Sequence, residues 1–218
     1  MKIFIVIPLY NEKRYFSILL RDLKPFKFSV VVVDDGSTDS GNKNFGSNVA
    51  YLRHEINLGK GAAMKTGAEY AFTQGAEAVI FMDADGQHDP TNLKVFENKL
   101  NSKKYDVIFG ARNLNKGVPF VRMFGNRLAS FVIKFLFGIY VSDPLCGYRA
   151  LTKKAFEDIN WESAGYGVES EILAKTGKKR LKFIEISVKT IFHDKHKGVS
   201  VLDAFGVLGD ILKWKLTK

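Results

Sequence analysis

The sequence predicts an α/β chain built on a mostly parallel sheet flanked by helices. Two observations carry this. Three compact apolar runs, Ile3 to Pro8, Ser29 to Val33 and Ala78 to Met82, each end at polar or acidic residues and read as buried parallel strands. Helical patterns lie between and after them, so strand and helix alternate as in doubly wound sheets. Such sheets bind ligands beyond the carboxyl ends of their strands, at a switch in strand order, and the polar motifs of this chain sit at those ends.

Taken in order, the strand at Ile3 is followed by a helix over Glu12 to Leu23, the strand at Ser29, and a further strand at Val49 to Arg53. A helix over Lys60 to Phe72 leads to the strand at Ala78, and a helix over Thr91 to Leu100 leads to a fifth strand at Asp106 to Phe109. The longest apolar segment, Phe120 to Val141, is long enough for a bilayer but carries Arg122, Arg127 and Lys134. It reads as a partly buried amphipathic helix. A late strand at Leu181 to Val188 precedes the polar stretch HDKHKG. The last segment, Val199 to Leu216, puts Asp203, Asp210, Lys213 and Thr217 near one helical face and Leu202, Phe205, Leu208, Leu212 and Trp214 largely elsewhere, an amphipathic helix.

A chain of 218 residues, 46% hydrophobic, can bury one sizeable core. The 33 basic against 23 acidic residues give a net charge of +10, which favours phosphates, nucleic acid or an anionic lipid surface as partners. No zinc spacing, helix-turn-helix pattern or aromatic RNA-binding motif accompanies the charge, so nucleic acid is not the expected partner. Cys146 is the only cysteine, which rules out an intramolecular disulfide. The opening MKIFIVIPLYNE has too short an apolar stretch for a signal peptide, and a cytoplasmic location is expected.

The chemistry centres on MDADGQHDP, Met82 to Pro90, where an apolar strand runs into two carboxylates one residue apart. Hard oxygen ligands aimed at one point suit a divalent cation. Asp83 and Asp85 would diverge on an ideal strand, so the chain must turn at Ala84 for both to approach one ion, with Gln87 adding an amide oxygen. Alone, Asp-x-Asp also ends strands and starts turns. VVVVDDGSTDS, Val30 to Ser40, places Asp34 and Asp35 at a strand end, where a carboxylate can accept hydrogen bonds from a ribose or base, or simply cap a turn. IPLYNE has the same layout, with Pro8 closing the strand and Tyr10, Asn11 and Glu12 offering a ring and polar edges. NLGKGAA sets Gly59 and Gly61 around Lys60 at a helix start, suited to close approach of a phosphate, although the P-loop spacing is missing.

IPLYNE, VDDGSTD, NLGKGAA and MDADGQHDP, in this order and approximate spacing, resemble glycosyltransferase family 2. The likeness continues through FGARN, the Arg122 to Ser130 stretch, SDPLCGYRA and GYGVESEI, and looks closest to the dolichyl- or polyprenyl-phosphate mannose or glucose synthase branch. The resemblance implies a GT-A fold, a Rossmann-like mostly parallel sheet flanked by helices. It implies a catalytic unit over 1–198, with a nucleotide-sugar and metal half at 1–112 and an acceptor half at 113–198, then the amphipathic helix at 199–218. Pro8, Tyr10, Asn11, Glu12, Asp35, Lys60, Asp83, Ala84 and Asp85 are expected to border the nucleotide. Asp83, Asp85 and Gln87 would surround Mg²⁺ or Mn²⁺, with Asp85 and Gln87 the direct ligands.

Arg112 and Arg122 match positions that grip the lipid phosphate in this branch, with Asn126 where relatives often have serine and Arg127 as a neighbouring substitute. Asp143 and Arg149 of SDPLCGYRA are carried over near the reacting centre, and His193, Lys195, His196 and Lys197 fall where relatives have a basic loop over the diphosphate. The expected reaction is inverting transfer of a hexose from GDP-mannose or UDP-glucose to a polyprenyl phosphate, by single displacement. A saccharide hydroxyl acceptor would instead need a carboxylate base, for which Asp143 or Glu169 would serve. With no spanning segment in the sequence, the terminal helix and basic surplus either rest on the cytoplasmic membrane surface or meet a membrane-protein partner, or the helix covers the core or a dimer partner.

Overall fold

The computed structural model describes residues 1–39, 45–112, 120–189 and 191, with backbone alone for 120–125. The expected helix at 199–218 and the basic residues His193, Lys195, His196 and Lys197 lie outside the described residues.

Seven strands form one sheet in the order β3-β2-β1-β4-β6-β5-β7. They are β1 (Ile3–Leu9), β2 (Ser29–Asp34), β3 (Val49–Arg53), β4 (Ala78–Phe81), β5 (Val107–Arg112), β6 (Arg149–Thr152) and β7 (Phe183–Val188). All neighbours pair parallel except β6, which runs antiparallel to both β4 and β5. Because β1 has β2 on one side and β4 on the other, strand order switches at β1, and the crevice beyond its carboxyl end is the expected ligand site.

Alternation along β1 divides the core. Phe4 and Val6 face one layer, with Met64 and Ala68 of α2 (Lys60–Thr73), Ile133 and Phe137 of α4 (Phe120–Phe137), and Ile172 and Leu173 of α6 (Val168–Lys178). Ile3, Ile5 and Ile7 face the other, with Phe16, Leu19 and Leu23 of α1 (Lys13–Leu23) and Leu93, Phe96 and Leu100 of α3 (Leu93–Asn101). Each large apolar side chain among these contributes about 1.5–3 kcal/mol when fully buried, so the sheet is held from both faces.

The expected strands and the first three helices are present, with ends shifted by no more than three residues. The helix expected over Phe120 to Val141 stops at Phe137, because Gly138 turns into the left-handed region at φ 72°; Ile139 and Val141 continue into the core as irregular chain. Three elements were not anticipated: β6, α5 (Lys153–Ile159) and α6. β6 passes directly into α5, whose N-terminus Thr152 caps by accepting from the Ala155 amide at 3.2 Å.

Candidate active site

The carboxyl ends of β1, β2, β4 and β5 bring the sequence motifs together. At β1 and β2 two turns are stitched to each other. The Asn11 amide N–H donates to Ser37 Oγ at 3.0 Å, and Asn11 Oδ1 accepts from the backbone N–H of Thr38 at 2.8 Å and of Asp39 at 3.3 Å. Asn11 holds φ 52°, a conformation asparagine tolerates better than most residues. Tyr10, just beyond the end of β1, is exposed.

Asp35 is 2% exposed and both its oxygens are engaged: Oδ1 accepts from the Leu58 amide at 3.0 Å, Oδ2 from the Gly59 amide at 2.7 Å, and His54 Nδ1 lies 2.7 Å from Oδ1. Its carboxylate therefore positions the loop that carries Lys60. Asp34, beside it, accepts from the hydroxyl of Tyr51, from Arg53 and from the Ser37 amide. Burial opposes ionisation of Asp34, and the Tyr51 and Ser37 hydrogen bonds outweigh it, holding the carboxyl below its usual range.

The start of α2 is fixed by close backbone approach. Gly59 sits at φ +99°, and a Cβ there would lie 2.6 Å from the Ala164 carbonyl oxygen; a Cβ on Gly61 would lie 2.0 Å from that of Ser163. Only glycine permits this contact. The Ala62 amide donates to Ala164 O at 3.1 Å and the Trp161 indole N–H to Gly61 O at 3.0 Å, while Glu171 accepts from the amides of Glu162 and Ser163. The segment between α5 and α6 is thus clamped onto the turn that presents Lys60.

Lys60 is the centre of the cluster. Its Nζ lies 2.6 Å from Asp83 Oδ1 and 2.6 Å from Glu169 Oε1. Burial opposes the ammonium, but the two carboxylates outweigh it and raise its pKa. Burial likewise works against ionised Asp83, and Lys60 holds its carboxyl down at about 2. Asp85 moves the other way, raised by burial and by the charge of Asp83. Asp85 Oδ1 accepts from the Gln87 amide at 2.9 Å, which folds the Ala84 to Gln87 turn so that Gln87 follows the carboxylates.

His88 Nδ1 accepts from the Asp83 amide at 3.1 Å, which places its proton on Nε2, and burial lowers its pKa. Its ring stacks on Tyr148 at 4.7 Å, and Tyr148 on Phe96 at 4.6 Å.

At the end of β5, Arg112 donates side-on to Asp143: Nε to Oδ2 at 2.6 Å and Nη2 to Oδ1 at 2.9 Å. Asn126 Nδ2 also donates to Asp143 Oδ1 at 3.0 Å. Asp143 is 1% exposed; burial opposes its charge, and Arg112 outweighs burial to keep the carboxyl below its usual range. Arg112 and Asp83 feel one another's charge, so the guanidinium and the acidic cluster share one electrostatic neighbourhood. Arg149 is buried, its guanidinium donating to the carbonyls of Pro144, Cys146 and Glu169. It braces the Asp143 loop against α6. The side chain of Arg122 lies outside the described residues.

No described group of three His, Cys, Asp or Glu residues forms a protein-only metal site. Two neighbouring carboxylates, one with its pKa raised by the other, and a following amide oxygen fit instead a hard cation that takes its remaining ligands from a diphosphate and water. The sequence points to Asp83, Asp85, Gln87, Lys60, Arg112, Asp143 and Arg149 and offers Glu169 only as a base; it gives no part to His88, to Trp161, or to Gly147, where a Cβ would lie 2.3 Å from Asp83 Oδ2. His88 lies three residues after the Asp-x-Asp pair, within MDADGQHDP, and its position five residues after Asp83 is the available signal.

The chain belongs to glycosyl transferase family 2, whose model matches residues 4–160, and it is a glycosyltransferase. It is 30% identical, over 99% of its length and 97% of the relative, to a UDP-N-acetylglucosamine–dolichyl-phosphate N-acetylglucosaminyltransferase of Methanococcus voltae. It is 24% identical to the polyprenol monophosphomannose synthase of Mycolicibacterium smegmatis, covering 93% of this chain and 82% of that one. Its fold is the GT-A type: it superimposes with a TM-score of 0.73 on the glucosyl-3-phosphoglycerate synthase of Mycobacterium tuberculosis solved with Mn²⁺ and UDP-glucose, at 19% identity, covering 98% of this chain and 79% of that one.

Proposed function

We propose that this chain transfers a hexose, with inversion, from a nucleotide-sugar such as GDP-mannose or UDP-glucose to a polyprenyl or dolichyl phosphate, with Mg²⁺ or Mn²⁺. The observation that carries the acceptor is the Arg112–Asp143 pair beside the Lys60–Asp83 cluster. A guanidinium gripped along its Nε edge keeps Nη1 for an anion, at the distance over which it already senses Asp83. The names of the M. voltae and M. smegmatis relatives support a lipid-phosphate acceptor.

Asp85 and Gln87, with Asp83, would hold the cation, which when bound supplies positive charge against the diphosphate leaving group. Lys60 adds a second cation on the same side. A phosphate monoester has a second pKa of about 6, so the attacking oxygen is already ionised at neutral pH and needs no base; Arg112, and Arg122 from its place on α4, would hold it in line. Asp143 keeps Arg112 oriented, and Arg149 keeps the Asp143 loop in place. Tyr10, Asn11 and Glu12 border the base and ribose, on the turns that Asn11 and Asp35 fix.

We also infer peripheral association with a membrane surface. No described helix is long and apolar enough to cross a membrane. α4 buries Ile133 and Phe137 but exposes Leu128, Phe131 and Phe135, the last at 88%, beside Arg127 and Lys134. An apolar stripe flanked by cations suits an anionic headgroup layer.

The test is transfer of labelled sugar from GDP-mannose, UDP-glucose and UDP-N-acetylglucosamine to a short polyprenyl phosphate, with Mn²⁺, with Mg²⁺ and with a chelator. Metal-dependent product in the organic phase is expected; transfer only to a saccharide would overturn the lipid-phosphate acceptor.

A further inference from the structure

Lys60 has two carboxylate partners at equal distance, and only one of them belongs to the proposed cation site. The other, Glu169, is 4% exposed, in the first turn of α6, where the helix terminus favours negative charge. Its main chain is pinned as well, its carbonyl accepting from Arg149 Nη1 at 2.8 Å. The contacts between the Ser163–Ala164 segment and the start of α2 set the Lys60 to Glu169 distance through backbone. Such a carboxylate is built to hold an ammonium.

A divalent cation arriving at Asp83 repels an ammonium 2.6 Å from the same carboxylate. A buried ammonium cannot be left unpaired, so the site needs a second anion to receive it. We propose that Glu169 is a positioning residue that takes over Lys60 when a divalent cation claims Asp83, and that it is not the base of the reaction. The inference rests on the reading of Asp83, Asp85 and Gln87 as the cation site. It accounts for a carboxylate which is nearly closed to solvent and bound to an ammonium, in an enzyme whose phosphate acceptor requires no proton removal.

The experiment measures Mn²⁺ binding with a saturating nucleoside diphosphate present, by the electron paramagnetic resonance of free Mn²⁺, on the full chain and on Glu169→Gln, Glu169→Asp and Lys60→Met. In Glu169→Gln the ammonium commits to Asp83, and Mn²⁺ should bind about fivefold or more weakly. In Lys60→Met the competitor is gone, and Mn²⁺ should bind more tightly, the opposite sign. Glu169→Asp keeps the anion and should stay within about threefold of the parent, which rules out a general loss of fold as the cause. In sugar transfer, Glu169→Gln should raise the Mn²⁺ needed for half-maximal rate by about the same factor.

Unchanged Mn²⁺ affinity in Glu169→Gln overturns the proposal. So does a kcat loss of about a hundredfold or more at saturating Mn²⁺, the mark of a general base. Failure of the parent chain to bind Mn²⁺ at all would instead sink the cation-site reading beneath it.

Discussion

Replacing Gly147 by alanine should disable the site while leaving the fold intact. A Cβ at this position would lie 2.3 Å from Asp83 Oδ2 and 2.7 Å from Oδ1. To regain ordinary van der Waals contact the carboxylate must retreat by about 1 Å. Gly147 is not among the glycines with positive φ, so the alanine backbone itself is unstrained. The displacement falls on the oxygens that hold Lys60 and face Asp85. Misplacement by about 1 Å costs on the order of a hundredfold in rate, or about 2.7 kcal/mol of transition-state stabilisation. Overpacking costs about 1–3 kcal/mol of stability, a fall of about 2–4 °C in Tm per kcal/mol for a chain of this size. The assay pairs kcat/KM for sugar transfer with a thermal scan. A variant with kcat/KM within about threefold of the parent would refute the assignment of Asp83 to the reacting centre, because the displacement follows from geometry alone.

Asp143→Asn should lower stability by about 3–5 kcal/mol at neutral pH, since it breaks a buried pair and strands Arg112. The pH dependence follows from the sign of the shift. Arg112 holds the folded pKa of Asp143 below its unfolded value, so the stabilisation is complete above about pH 4 and is lost as pH falls through the folded pKa. The parent Tm should therefore fall more steeply in acid than that of Asp143→Asn, and parallel curves would refute the linkage. Cys146, buried and pushed up to about 12 by burial, should resist iodoacetamide at pH 8 and react fully in denaturant; rapid native labelling would show that the loop opens. The double change Phe131→Ser and Phe135→Ser should reduce co-sedimentation with anionic vesicles by about tenfold or more, and unchanged binding would move the membrane surface away from α4.

Much of the first half of the molecule was legible because its strands are buried on both faces and so read as unbroken apolar runs, as in Val30 to Val33. The second half hides its elements. β6 is only Arg-Ala-Leu-Thr, and it opens on a guanidinium that the fold buries. α6 buries Glu169, Ser170, Glu171 and Thr176 along with Val168 and Ile172, so its polar and apolar faces do not separate in the sequence. The same burial hid the role of Glu169, which the sequence offers only as a base for a saccharide acceptor until the structure places an ammonium against it. Lys60 was found from its flanking glycines, but the reason for those glycines, the carbonyls of Ser163 and Ala164, lies in a segment distant in sequence.

The antiparallel strand β6 accounts for how the two halves meet. A parallel strand between β4 and β5 would begin at the opposite edge of the sheet, and the residues before it would be far from the chemistry. β6 runs the other way, so the segment that leads into it, Asp143 to Tyr148, lies at the carboxyl ends of β4 and β5. There Asp143 meets Arg112 at the end of β5, Gly147 abuts Asp83 at the end of β4, and Tyr148 stacks on His88. One short loop therefore touches both the arginine proposed to hold the acceptor and the carboxylate proposed to face the donor. Its own position is fixed from beneath by Arg149, whose three carbonyl partners tie it to α6 and so to Glu169 and Lys60. Reversal of a single strand in an otherwise parallel sheet is what makes the distance between acceptor and donor a property of the fold rather than of a flexible segment.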